Sequence, residues 1–200
     1  MNLKSLKRIY SDKDSEIFIF NIEQNCSMLN NSIIPKEQLE KIKKYKEEID
    51  RNKRILSRTF LFNYCQEKYN LDNFSFEYTN NQRPKFKYSN INFSISYSKD
   101  IVVVALSTTL RVGIDIEYIE SSAVSNNVAL EFMDTTQFLE FNNLIKEDRD
   151  TYFYKVWTSK ESYLKVSGDG LYINPKTITN EIGEFLYFKN YIISFTKSLI

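Results

Sequence analysis

The sequence predicts an α+β fold of two similar α/β halves in a pseudo-twofold arrangement, each a small, mainly antiparallel sheet packed with helices. Three observations predict it. The order strand, loop, helix pair, strands occurs twice, once from Ile17 and once from Val112, without real sequence identity between the two runs. Phe93 to Ser98 alternates cleanly and Ile101 to Leu106 returns after Lys99-Asp100, the pattern of a hairpin. Two hundred residues suit one medium domain or two small packed halves with a real core. We therefore expect an N-terminal half over 1–108 and a C-terminal half over 109–200, with any ligand cleft at the seam between them.

Taken in order, Ile17 to Ile22 reads as a strand, followed by Asn-rich turn sequence through Asn31. Pro35 marks a helix start, and Leu39, Ile42, Tyr45 and Ile49 give that helix one apolar face. A second helix runs from Asp50 to about Lys68 with Ile55, Leu56, Phe60, Leu61 and Tyr64 inside, while Lys53, Arg54 and Arg58 near its start read mostly as a solvated face. Phe74 to Tyr78 is a strand, Asn80 to Pro84 a turn, and Lys85 to Tyr88 a short strand. After the hairpin, Val112 to Glu117 is a strand, Glu120 to Asn127 a polar loop, and Val128 to Phe132 and Thr136 to Leu144 are helical. A helix from Asp150 to Ser167 is stopped by Gly168, and Tyr172, Ile173, Phe185 to Phe188 and Tyr191 to Phe195 supply the last strands.

Composition narrows the function classes. Apolar content of 42%, charged 26% and aromatic 15% describe a globular rather than a disordered chain. A formal net charge of +1 argues against a nucleic-acid partner, although charge is unevenly placed. Lys36 to Arg58 holds nine Lys/Arg against five Asp/Glu, and Arg111 to Asp150 holds three against nine. Cys26 and Cys65 lack CxxC spacing, which points to a reducing cytoplasm and no disulfide framework. No apolar run reaches the roughly 18 residues of a membrane span, so no membrane partner is expected. The chain contains no histidine, which excludes Ser-His-Asp and Cys-His catalysis and leaves proton transfer to a carboxylate, a lysine, a tyrosine or water.

Two stretches carry the chemistry. In Val112-Gly113-Ile114-Asp115-Ile116-Glu117 the branched residues alternate with Gly113, Asp115 and Glu117, so a strand puts both carboxylates on one face, roughly 7 Å apart. Two acids on one sheet face repel unless water screens them or a cation sits between them. In Phe153 to Lys165, the residues Phe153, Val156, Trp157 and Leu164 recur at helical spacing, and Glu161 lies one turn before Lys165. Alone, that Glu–Lys pair is an ordinary surface salt bridge worth about 0.3–0.5 kcal/mol. Beside two sheet acids it completes a set suited to Mg²⁺ and phosphate.

The order and spacing of Val112 to Glu117 and Trp157 to Lys165 resemble the paired signatures of the 4′-phosphopantetheinyl transferases, of the long monomeric kind that activates surfactin synthetase. The resemblance extends from about Ile34 to Leu171. It implies transfer of the phosphopantetheine arm of coenzyme A to a serine of an apo acyl or peptidyl carrier protein, with release of adenosine 3′,5′-bisphosphate, by a monomer. By position, it implies that Asp115, Glu117 and Glu161 hold Mg²⁺, or Mn²⁺ in its place, on the coenzyme A diphosphate, with Glu161 also the base for the carrier serine. Lys165 is implied to neutralise phosphate, and Lys160 to assist or to pair with an acid. Arg83 is similar to the family's nucleotide-phosphate contact, Ser96 lies in the hairpin that resembles its Ser-His-Ser strand, and Arg54 and Lys41 resemble contacts near the 3′-phosphate.

Three departures stand out. Tyr97 occupies the place of the family's histidine and brings a hydroxyl without positive charge. Gln82 stands where glycine is common, and the stretch after Leu171 has room for fewer strands than the family builds. Two other classes share part of the pattern: a metal-dependent phosphodiesterase or nuclease, and a non-catalytic relative that binds coenzyme A or a carrier. The first calls for a broad basic surface and steep salt dependence, the second for binding without Mg²⁺-dependent transfer.

Overall fold

The structure is a computed structural model, describing residues 6–72, 75–79, 83–120, 124–168, 173–179 and 183–199. Phe74, the turn residues Asn80 to Gln82, residues 121–123 of the polar loop, and Tyr172 lie outside the described residues. The first sheet has the order β1-β2-β6-β5, from β1 (Lys7–Ser11), β2 (Ser15–Asn21), β6 (Ile101–Ser107) and β5 (Asn92–Ser98), and its pairings are antiparallel. Its central strands β2 and β6 are buried almost throughout, so the sheet must be covered on both faces.

Each face has its own cover. Phe18, Phe20, Val102 and Val104 pack with Leu56, Phe60 and Leu61 of α2 (Glu48–Tyr69), which follows α1 (Lys36–Lys43). The alternate residues Ile17, Ile19, Val103 and Ala105 pack on Val112, Ile114, Ile193 and Phe195 of a second sheet. That sheet has the order β7-β9-β8, from β7 (Leu110–Tyr118), β9 (Tyr191–Leu199) and β8 (Glu184–Phe188), again antiparallel. A core shared by both sheets therefore joins the first sheet to the second. A two-stranded ribbon of β3 (Phe76–Tyr78) and β4 (Pro84–Phe86) closes the N-terminal helices. The architecture is the expected α+β arrangement of small antiparallel sheets packed with helices.

The last helix, α5 (Lys146–Ser167), follows α3 (Asn126–Phe132) and α4 (Thr135–Asn143). Phe153 and Val156 bury with Phe132 and Phe141 of α3 and α4, while Trp157 stacks on Phe132 at 4.2 Å between ring centroids. Another face lies on the second sheet through small residues. The Ser162 hydroxyl is 3.0 Å from Ser194 Oγ and 2.8 Å from Thr196 Oγ1, and a side chain at Gly113 would stand 2.0 Å from the Ser162 carbonyl. Gly168 ends the helix in the left-handed region, at φ 76°.

Several boundaries differ from expectation. The Pro35 helix stops at Lys43, and Tyr45 and Ile49 are exposed instead of continuing its buried face. The Arg51 guanidinium donates to the Tyr45 and Lys46 carbonyls at 2.8 and 2.6 Å and stabilises the break. Ile173 is in a bend and not a strand, β4 ends at Phe86, and α5 begins four residues before Asp150. The edge strand β1 was not expected: its five residues, Lys-Arg-Ile-Tyr-Ser, place two charged residues before two apolar ones and carry no alternation to signal a strand. No described helix is long and apolar enough to cross a membrane.

Candidate functional site

Strand β5 runs alongside β7, and serine side chains link the two. Alternation puts Ser94, Ser96 and Ser98 on the side facing β7. Ser94 Oγ accepts from the Ile114 amide at 3.1 Å, and Ser98 Oγ accepts from the Tyr118 amide at 2.9 Å. Ser96 Oγ donates to Asp115 Oδ1 at 2.7 Å and Ser98 Oγ to Glu117 Oε2 at 3.0 Å. The two sheet acids of β7 are thus oriented by hydroxyls from β5 of the first sheet.

Helix α5 covers these acids. The close approach at Gly113 brings Lys165 Nζ to 2.9 Å from the Ile114 carbonyl and 2.7 Å from Asp115 Oδ1. Asp115 is buried, because α5, which arrives fifty residues further along the chain, covers it. Its other oxygen, Oδ2, is buried without a hydrogen-bond partner. Burial, and next the Asp115 charge, push the Glu117 carboxyl up to about 7. The same two causes, in the same order, raise Glu161, against which Lys165 pulls.

These observations test whether a divalent cation suits the residues present. Among the described residues no three metal-ligating side chains form a ready-made cluster. The chemistry of the set nevertheless fits a hard cation, with one orphaned carboxylate oxygen and two carboxyls whose ionisation is opposed by burial and mutual repulsion. The sign of the Glu117 shift gives a test on the metal-free chain. A folded-state value above the unfolded 4.5 leaves stability intact below about pH 4.5, and it falls as pH rises through about 7. With solvent screening discounted, the loss is on the order of 2 kcal/mol. Glu117→Gln is expected to raise the melting temperature at pH 8 and flatten its fall from pH 5 to 8, while Mg²⁺ stabilises the wild type more than the variant. Equal thermal shifts with Mg²⁺ in the two proteins would remove Glu117 from the cation set.

Against the C-terminal turns of α5 opens a cleft of about 420 Å³ whose wall includes Gln38, Arg58, Arg83, Tyr97, Glu161 and Lys165. Arg58 donates to the Tyr97 hydroxyl at 3.1 Å, and that hydroxyl lies 2.8 Å from Ser57 Oγ. The positive charge that Tyr97 lacks is therefore supplied beside it. Arg58 was read as solvated; only its place one turn after Arg54 hinted otherwise.

The expected residues do not all converge. Arg83, Tyr97, Glu161 and Lys165 line the cleft, while Ser96, Asp115 and Glu117 form the seam beside it. The Arg83 guanidinium is also a strut, donating to the Val166 carbonyl at 2.8 Å and the Val112 carbonyl at 3.0 Å. Arg54 and Lys41 are outside the lining. Arg54 stacks over Tyr45 at 3.6 Å and lies 5.1 Å from the Tyr97 ring centroid, and Lys41 sits over Tyr78 at 3.7 Å with Glu37 at 3.1 Å. Lys160 is fully buried behind the wall, its ammonium on the Phe132 and Pro175 carbonyls at 3.2 and 2.9 Å. Burial lowers Lys160 to about 8, partly offset by the charge of Asp134.

Comparison with known proteins bears on this arrangement. Residues 111–186, which span β7, α5 and part of β8, match the model of the 4′-phosphopantetheinyl transferase superfamily. This segment belongs to that superfamily. The chain is 30% identical over 153 residues to the 4′-phosphopantetheinyl transferase gsp of Aneurinibacillus migulanus, covering 76% of this chain and 63% of the relative. It is 27% identical to the 4′-phosphopantetheinyl transferase Sfp of Bacillus subtilis over 70% of this chain and 62% of that one. To the 4′-phosphopantetheinyl transferase HetI of a Nostoc species it is 30% identical over 48% of this chain and 42% of that one. The chain thus spans between two fifths and two thirds of the length of these relatives. The superfamily match covers Asp115, Glu117, Glu161 and Lys165, whereas Arg83 and Tyr97 precede it.

Proposed function

We propose that the chain transfers the 4′-phosphopantetheine group of coenzyme A to a serine of an apo acyl or peptidyl carrier protein, as a Mg²⁺-dependent monomer of the cytoplasm that releases adenosine 3′,5′-bisphosphate. The carrying observation is the cleft between 1–108 and 109–200, where Glu161 and Lys165 of one helix meet Arg58, Arg83 and Tyr97 of the other half, with Asp115 directly behind Lys165. A displacement at phosphorus needs positioning and charge neutralisation more than covalent help, and this wall offers three cations to one carboxylate.

In this reading Arg58, with Tyr97 as a second donor, binds the phosphates of the nucleotide end, and Arg83 holds the wall beside them through the Val166 and Val112 carbonyls. Lys165, fixed by Asp115 and the Ile114 carbonyl, faces the diphosphate. Asp115, Glu117 and Glu161 would hold the divalent ion, which when bound supplies charge neutralisation at the diphosphate. Glu161 takes the proton of the carrier serine as its oxygen bonds to the phosphorus of the pantetheine arm. The phosphorus–oxygen bond to adenosine 3′,5′-bisphosphate breaks in the same displacement. Burial suits Glu161 to the task, because a carboxyl raised toward neutrality is a stronger base than an ordinary one. Incubation with coenzyme A, Mg²⁺ and apo carrier protein, followed by intact mass, is expected to show the carrier gaining one phosphopantetheine. An unmodified carrier alongside measurable coenzyme A binding would select the non-catalytic reading.

A further inference from the structure

A second cavity, also of about 420 Å³, lies on the far side of Arg83 and shares only Arg83 and Gly168 with the cleft. Its wall carries Arg83, Lys85 and Arg111, the hydroxyls of Thr79, Ser89 and Ser167 and the amides of Asn90 and Asn92; among the described lining residues none is acidic. Neither guanidinium has a carboxylate partner among the described residues. Those of Arg83 that are engaged donate to backbone carbonyls, and Arg111 is exposed without an ion pair. Lys85 is paired with Glu77 at 2.9 Å across the ribbon. The two arginines repel each other and, after burial, that repulsion is what depresses Arg83. Paired guanidiniums in a polar hollow, unmatched by negative charge among the described lining residues, form a recognition surface for a multidentate oxyanion.

We propose that this cavity is a second ligand site, separate from the cleft, that binds an anion of the phosphate class through Arg83 and Arg111. Its occupancy is felt at the cleft, because the same Arg83 guanidinium holds the Val112 carbonyl of β7 and the Val166 carbonyl of α5. The anion is either free phosphate or the phosphate of a nucleotide, and both share the chemistry that the arginines recognise.

Inorganic phosphate titrated into ¹⁵N-labelled full chain, against chloride at equal ionic strength, is expected to shift the amides of Asn92, Arg111, Ser167 and Gly168 in a saturable way. The shifts persist with coenzyme A in excess, and they are a binding readout that stands whether or not transfer occurs. Arg111→Gln, at an exposed and unpaired position, leaves the fold and the spectrum's dispersion unchanged and weakens phosphate by about tenfold or more, the loss of one charge-assisted contact. Lys85→Gln serves as the second variant and weakens it less. A parallel titration with AMP identifies the source: binding at least tenfold tighter than phosphate, and dependent on Arg111, means a nucleotide, while equal affinity means the phosphate group alone. Shifts confined to Arg58 and Tyr97, no saturable shift, or unchanged affinity in Arg111→Gln overturns the site.

Discussion

Glu161→Gln is expected to lower the rate of phosphopantetheine transfer by about 10²–10⁴-fold, the usual contribution of a positioned general base, while leaving the chain folded. Gln keeps the shape of the side chain and removes only its ability to accept a proton and its charge. Stability should hold or rise slightly at pH 8. Glu161 is raised by burial and by Asp115, so its ionisation costs the folded state more than the unfolded one, and a neutral residue removes that cost as pH rises. The same shift fixes the pH profile. In the wild type kcat climbs on the acid side as Glu161 loses its proton, and in the variant that limb is reduced to the contribution of Glu117. Initial rates from pH 5.5 to 8.5, with a thermal melt of each protein, separate the two effects. Turnover within threefold of wild type would take the base role away from Glu161.

The legible parts of this molecule were those set by local chemistry. The alternation from Val112 to Glu117 determines β7, the Lys99-Asp100 turn closes the β5–β6 hairpin, and Gly168 ends α5 where its left-handed conformation demands it. What escaped was produced by residues distant in sequence. The break after Lys43 is held by Arg51 from the next helix, so a periodic pattern through Tyr45 and Ile49 is misleading there. Asp115 looks wet in a strand read alone and is buried by a helix that arrives fifty residues later. Arg58 becomes a cleft residue only because a tyrosine thirty-nine residues on meets it. In α5 a single apolar stripe was legible, yet the helix is buried on further faces through Ser159, Ser162 and Lys160, residue types that hydrophobic periodicity cannot register.

Gly113→Ala is expected to destabilise the chain by about 3 kcal/mol or more, the upper range for forcing volume into a packed core. The added carbon would meet the Ser162 carbonyl at 2.0 Å and the Val166 amide at 2.8 Å. Both are backbone of α5, so no rotamer change relieves the clash, and helix and strand must separate. For a chain of this length that is a fall of on the order of 10 °C in melting temperature. Separation also lengthens the Lys165 contacts to the Ile114 carbonyl and Asp115 and tilts Glu161 with the same helix, so kcat falls even where the variant remains folded. Val166→Ala in the same chain removes the Cγ2 contact at 2.7 Å and leaves the carbonyl clash, so it restores only part of the loss. Calorimetry of the three proteins with activity at a temperature where all are folded checks the argument. A change of under about 2 °C for Gly113→Ala would mean that the approach of α5 to β7 is not what holds Lys165 against Asp115.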